Sequence, residues 1–229
     1  AMIHKLKLAW LLGVMVFFGY GNNDSIGFPI ASTSKLENDF TLSGPKNYLD
    51  GWPARTGNGL LHVIVEIPAG TNQKWEVTKS DGKMIWEMKK GKRRIVKYLP
   101  YPTNYGMVPR TLLPEQLGGD GDPLDILLLG PAKPRGEVAV GRLIGILKLL
   151  DDGERDDKLI AVEVNGPLSR IRNIDQLKMQ FRGVVDILET WFVNYKGKGR
   201  IESGGFAGIA EAESVLESAI YSWRKKWKR

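Results

Sequence analysis

The chain has no cysteine, which excludes zinc–thiolate centres, thiol nucleophiles and disulfide frameworks. Its two histidines, His4 and His62, are too few to build a histidine metal site. Any metal must therefore be held by oxygen, and oxygen ligands point to Mg²⁺, Mn²⁺ or Ca²⁺. No Gly-x-x-x-x-Gly-Lys-Ser/Thr loop is present to cradle a nucleotide, and nothing resembles a Ser-His-Asp arrangement. A nucleophile, if this is a hydrolase, should be water activated by a metal. There is no internal repeat and no low-complexity tract. The apolar run from Leu8 to Tyr20 is too short to cross a bilayer comfortably, so no stable transmembrane span is expected.

What is present suits one domain with appendages: 229 residues, 42% hydrophobic and 26% charged. The net charge of +7 suits an anionic partner, whether nucleic acid, a membrane surface or a small phosphate compound. Much of that excess sits in a solvated C-terminal tail, residues 224–229, with Arg224, Lys225, Lys226, Lys228 and Arg229. At the other end, Lys5 and Lys7 precede the apolar run, and Gly19 and Gly21 follow at the spacing a signal peptidase reads. Residues 1–21 are thus read as a signal segment, implying a periplasmic or secreted protein if it is cleaved and a cytoplasmic one if it is not. Residues 22–59 are rich in Ser, Thr, Asn, Gly and Pro without sustained periodicity, and read as an extended arm. The folded body is expected over 60–223.

Short β-type segments bounded by turn residues fill the first part of that body: Leu60–Ile67, Lys74–Thr78, Met84–Met88, Asp125–Leu129, Glu137–Leu150 and Lys158–Val164. The turn Ser80-Asp81-Gly82-Lys83 makes a hairpin of the second and third. Such a series argues for a small barrel, a mainly β (α+β) fold. Helical periodicity runs over Ile174–Tyr195 and Ala207–Trp223, and both helices should pack on the barrel from outside.

Asp120-Gly121-Asp122-Pro123-Leu124-Asp125 places three carboxylates within six residues, directly before an apolar strand. Such a cluster repels itself, and a hard divalent cation relieves the repulsion. An EF-hand loop needs Gly at its sixth position and Glu at its twelfth, where this chain has Asp125 and Pro131. A second acidic group, Asp151-Asp152-Gly153-Glu154-Arg155-Asp156-Asp157, precedes Lys158. Lys74, Arg93, Tyr101, Tyr105, Tyr195 and Lys196 lie in or beside strand ends and loops. Carboxylates for cations, with Arg, Lys and Tyr for a phosphate, are the parts of metal-assisted phosphoryl transfer to water. The rival is a nucleic-acid or polyanion-binding module, an OB-like barrel with surface aromatics. A cleft for a polyphosphate backbone should not hold so many carboxylates, so no nucleic-acid partner is expected. A hydrolase of nucleotides or longer polyphosphates would keep the metal site and change only the substrate.

These residues resemble the family I soluble inorganic pyrophosphatases. The family signature Asp-x-Asp-Pro-apolar-Asp-apolar is matched by Asp120, Asp122, Pro123, Leu124, Asp125 and Ile126. The likeness continues in order from about Leu60 to about Ala219, through Glu66, Lys74 and Glu76, Arg93, the segment Tyr101-Pro102-Thr103-Asn104-Tyr105-Gly106, then Asp151, Asp156 and Lys158, and Tyr195-Lys196. The resemblance implies an OB-like five-stranded barrel with two flanking helices. It also implies several Mg²⁺ per active site, with Mn²⁺ or Zn²⁺ as substitutes, and pyrophosphate hydrolysed to two phosphates without a covalent intermediate. Asp120, Asp125 and Asp156 would hold the tightest metal, Asp125 would bridge to a second, and Asp151, Asp156 and Glu66 would hold metals arriving with substrate. Asp122 would be the base; Lys74, Arg93, Tyr105, Tyr195 and Lys196 would bind the phosphoryl groups; Glu76, Tyr101, Asp152 and Lys158 would support them. A homo-oligomer is implied, a hexamer if the source is bacterial. Three departures are visible: a longer loop over Leu112–Gly119, Asp152 where many members carry Glu, and the longer N-terminal extension.

Overall fold

The computed structural model describes residues 29–114, 118, 119 and 121–227. The signal-like leader, the first residues of the arm, Asp120, part of the loop before it, and Lys228 and Arg229 lie outside the described residues. Strands β1 (Lys35–Asn38) and β2 (Thr41–Ser43) come first. They are followed by β3 (Leu61–Ile67), β4 (Trp75–Val77), β5 (Met84–Trp86), β6 (Met88–Lys89) and β7 (Lys92–Arg93). Then come β8 (Asn104–Met107), β9 (Asp125–Leu129), β10 (Val138–Asp151), β11 (Glu154–Arg155) and β12 (Lys158–Glu163). Helices α1 (Ile174–Gln180) and α2 (Val184–Asn194), strand β13 (Ile201–Ala207) and helix α3 (Ile209–Trp227) complete the chain.

Strands β3, β8, β9, β12 and β10 pair in that order, and β10 pairs back to β3, so the five close into the expected OB-like barrel. Closure leaves no open edge among them. The tight pairing of β8 with β3 depends on Gly106, because a Cβ there would lie 1.8 Å from the Ile64 carbonyl oxygen. Both faces of the barrel strands are buried, which is why β9 and β12 read as continuous apolar runs. Ile126, Leu128, Leu159 and Ala161 share one core with Ala212, Val215, Leu216 and Ala219 of α3. Leu127, Leu129, Ile160 and Val162 share another with Ile174, Leu177, Leu188 and Phe192 of α1 and α2.

Among the described residues the flanking helices number three, not two. The single helix expected over Ile174–Tyr195 is broken after Gln180, and Gly183 takes φ 82° between α1 and α2. The chain leaves helical geometry at Phe181, φ −128°, and Gly183 then starts α2 as its N-cap, its carbonyl accepting from Ile187 N at 2.9 Å. Asn173 caps α1, its side-chain oxygen accepting from Gln176 N at 2.8 Å. β13 carried no sequence signal, since Gly204-Gly205 interrupts any alternation, yet it pairs along the second half of β10. The arm is also more than an extended wrap. β1 pairs with β2 and β2 with β5, building a four-stranded sheet of order β1-β2-β5-β4. Leu42 and Tyr48 of the arm are fully buried in a third core with Trp75, Met84 and Trp86. Among the described residues no helix is long and apolar enough to cross a membrane.

Candidate active site

The parallel pairing of β9 and β12 sets Leu159 opposite Ile126, so the residues just before them, Asp125 and Lys158, open side by side at the strand starts. Lys158, 3% exposed at its side chain, donates to Asp125 Oδ2 at 2.6 Å and to Asp156 Oδ1 at 2.5 Å. Across this pair runs a cavity of about 620 Å³, lined from the barrel by Glu66, Tyr105, Asp125, Asp156 and Lys158. The small sheet lines it with Lys74 and Glu76, the acidic turn with Asp122, and the segment after α2 with Tyr195 and Lys196. Alternation along β4 buries Trp75 and turns its neighbours Lys74 and Glu76 to the cavity.

Burial and charge compete within the cleft. Burial pushes the Glu66 carboxyl up to about 8, partly offset by Lys74 and reinforced by Asp125; its Oε1 accepts from Val77 N at 2.7 Å. Asp125 is also raised by burial, but Lys158 and Lys74 outweigh that and hold it below the usual carboxylate range. Asp156 remains raised, burial prevailing over Lys158 with Asp125 adding repulsion. Lys158 is destabilised as a cation by burial, yet the two aspartates on it raise its proton affinity. Burial raises Tyr101, Tyr105 and Tyr195, so all three stay protonated donors at neutral pH.

The cavity lining thus contains Asp122, Lys74, Tyr105, Tyr195, Lys196, Asp125, Asp156, Glu66, Glu76, Tyr101 and Lys158. Asp151 stands at its edge, ion-paired with Lys196. Asp152 takes φ 51° at the hairpin turn and pairs with Arg200, away from the lining. Arg93 is placed elsewhere. Its guanidinium stacks over Trp86 at 5.0 Å and Phe40 at 5.8 Å, and donates to Asp39 at 3.1 Å. Of this adjacent pair it is Arg94 that lines the cleft, holding Glu87 through two bonds of 2.8 and 2.6 Å. In Arg93-Arg94 the two side chains must leave an extended backbone on opposite sides, and which faces the cleft depends on register that the sequence does not display. Lys79, Arg155 and Asp157 also line the cleft unforeseen; Lys79 lies 2.5 Å from Asp122.

Among the described residues, no three acidic groups converge into a preformed metal cage. Four of the acidic positions are instead paired with ammonium groups: Lys158 lies between Asp125 and Asp156, Lys196 on Asp151, Lys79 on Asp122. Asp151 nonetheless keeps a buried Oδ1 with no hydrogen-bond partner among the described residues, and the donors are all carboxylate oxygens. That set fits a hard divalent cation.

A closed barrel whose rim gathers carboxylates opposite lysine, arginine and tyrosine side chains has the makeup of a phosphoryl-transfer hydrolase. Residues 63–224 match the sequence model of the family described as inorganic pyrophosphatase. The chain belongs to the inorganic pyrophosphatase family. The inorganic pyrophosphatase of Kluyveromyces lactis is 34% identical over 193 residues, covering 77% of this chain and 67% of that protein. The chain spans about two thirds of the length of the curated relatives it matches. Among solved structures, inorganic pyrophosphatase from Schistosoma japonicum superposes with a TM-score of 0.74 at 28% identity, covering 79% of this chain and 72% of that one. An N-terminally truncated vacuolar soluble pyrophosphatase from Trypanosoma cruzi, solved with PPi, gives 0.71 at 26% identity, covering 80% and 76%.

Proposed function

We propose that this chain hydrolyses pyrophosphate to two phosphates, with water as nucleophile and Mg²⁺ as the cation. One observation carries the reading: a single cleft gathers Glu66, Asp122, Asp125 and Asp156 with Lys74, Arg94, Lys196 and the three phenols of Tyr101, Tyr105 and Tyr195. Glu66, Asp125, Asp151 and Asp156, with Asp120, would hold the metal. When bound, divalent cations supply positive charge to the phosphoryl oxygens and make water more acidic. Lys74, Arg94 and Lys196 neutralise the two phosphoryl groups, while Tyr105 and Tyr195 donate hydrogen bonds to them, orienting the anhydride for in-line attack. Asp122 takes the proton from the attacking water; the bridging P–O bond breaks and its electrons leave on the departing phosphate. Arg94 replaces Arg93 as the phosphate-binding arginine.

The test is phosphate release from pyrophosphate, with and without Mg²⁺, beside ATP and tripolyphosphate. Fast Mg²⁺-dependent release from pyrophosphate alone is expected, and absence of release overturns the reading. In Asp122→Asn, turnover should fall by about 10²–10⁴-fold with the fold intact, and undiminished turnover would remove Asp122 from its role. We also propose a homo-oligomer, which sedimentation checks, and export by the Lys5–Gly21 leader, which the mass of the natural protein checks.

A further inference from the structure

We propose that Arg135 is a positioning residue for this cleft: its guanidinium fixes Glu66 from below and holds the Trp75 ring that aims Lys74 and Glu76. The inference rests on the reading of the cleft as the pyrophosphate site. Arg135 sits on the connection between β9 and β10 and is wholly buried. Its backbone is clamped on both sides. Its N–H donates to Pro29 O at 3.0 Å and its carbonyl accepts from Ala31 N at 2.9 Å, while Gly136 N and Val65 O are 2.8 Å apart. From that fixed point Nε donates to the Glu66 carbonyl at 3.0 Å, and the guanidinium lies 4.7 Å over Trp75.

The remaining two nitrogens, Nη1 and Nη2, are buried and have no hydrogen-bond partner among the described residues. A buried cation with no carboxylate and two idle donors disfavours folding. Packing alone would be served by a methionine of similar length, so the charge and the directed Nε–H have to be explained by something else. Their contacts are confined to two strands whose next side chains reach the cleft. Glu66 spans from β3 to the Val77 N–H of β4, and Trp75 is the inward residue between the cleft residues Lys74 and Glu76. One guanidinium therefore joins the two walls of the site, in the manner of groups that orient metal ligands from behind.

The experiment compares the wild type with Arg135→Met and Arg135→Lys by melting in excess chelator, by KM, kcat and half-activating Mg²⁺ concentration, and by calorimetric titration with Mn²⁺ in the absence of substrate. Arg135→Met should melt no lower than the wild type, yet need about tenfold more Mg²⁺ or pyrophosphate and bind Mn²⁺ correspondingly less tightly. Arg135→Lys, which keeps the charge and part of the reach, should recover some of that loss. Wild-type metal requirement, KM and Mn²⁺ affinity in Arg135→Met would overturn the proposal, whatever its melting temperature. Should the wild type release no phosphate from pyrophosphate, the functional reading fails separately, and the Mn²⁺ titration alone decides the positioning role.

Discussion

Arg93 and Arg94 show how a one-residue difference separates a side chain that lines the cleft from one that does not. Arg93 is sandwiched by Phe40, Trp86 and Asp39 on the outer side, whereas Arg94 reaches the cleft. Arg94→Ala should raise KM for pyrophosphate by about tenfold or more, a charge-assisted contact being worth about 1.5–3 kcal/mol. Arg93→Ala should leave KM within about twofold, its surface ion pair contributing under about 1 kcal/mol; the reverse ranking in steady-state assays would return the role to Arg93. Glu66 offers a second test at this scale. Its folded pKa of about 8 lies above the ordinary 4.5, so the protonated carboxyl favours folding, a contribution complete below about pH 4.5 and lost as pH rises through about 8. In chelator, wild type should therefore lose stability relative to Glu66→Gln between about pH 5 and about pH 9, by on the order of 4 kcal/mol at 1.36 per unit. Parallel denaturant curves for the two proteins would show the idea wrong. Asp122 and Asp125 of the acidic hexapeptide line the cleft that their residue types and spacing pointed to. Arg135 was not legible, because nothing in Pro134-Arg135-Gly136 distinguishes a buried guanidinium from a surface loop.

At the scale of elements, legibility followed burial. β3, β9, β10 and β12 were readable within a residue or two, since strands covered on both faces become apolar runs. β8 is bracketed by Pro102 and Pro109, and β13 is interrupted by two glycines, so their pairing comes from partners distant in sequence. β1 and β2 are too short for periodicity, four and three residues, and the arm consequently read as a wrap. Its burial says otherwise: Leu42 is 0% exposed against Trp75 and Met84. Because that core also backs β4, the arm supports the strand that carries Lys74 and Glu76. Leu42→Ala should cost about 2–5 kcal/mol, measured by chemical denaturation. A loss below about 0.5 kcal/mol would mean the arm packs on the body without stabilising it.

For the molecule as a whole, the question is whether the site and the fold depend on the same interactions. Three apolar cores hold the barrel, its helices and the small sheet together, and none is built around the acidic residues of the cleft. Four of those acidic residues are paired with Lys158, Lys196 and Lys79, so much of their mutual repulsion is offset by the chain's own cations. Folding should then be separable from metal binding, unlike small domains whose metal supplies the folding energy. Excess chelator should abolish phosphate release while leaving circular dichroism unchanged and the melting temperature lowered only by the mass-action effect of losing a bound ligand, about 2.7 kcal/mol at a hundredfold excess over Kd. Replacing Mg²⁺ with Ca²⁺ should restore that stabilisation but suppress turnover, because the larger ion takes a looser shell of 6–8 oxygens. Full activity in chelator would refute metal assistance, and unfolding in chelator would show that the lysines do not balance the cleft as their ion pairs indicate.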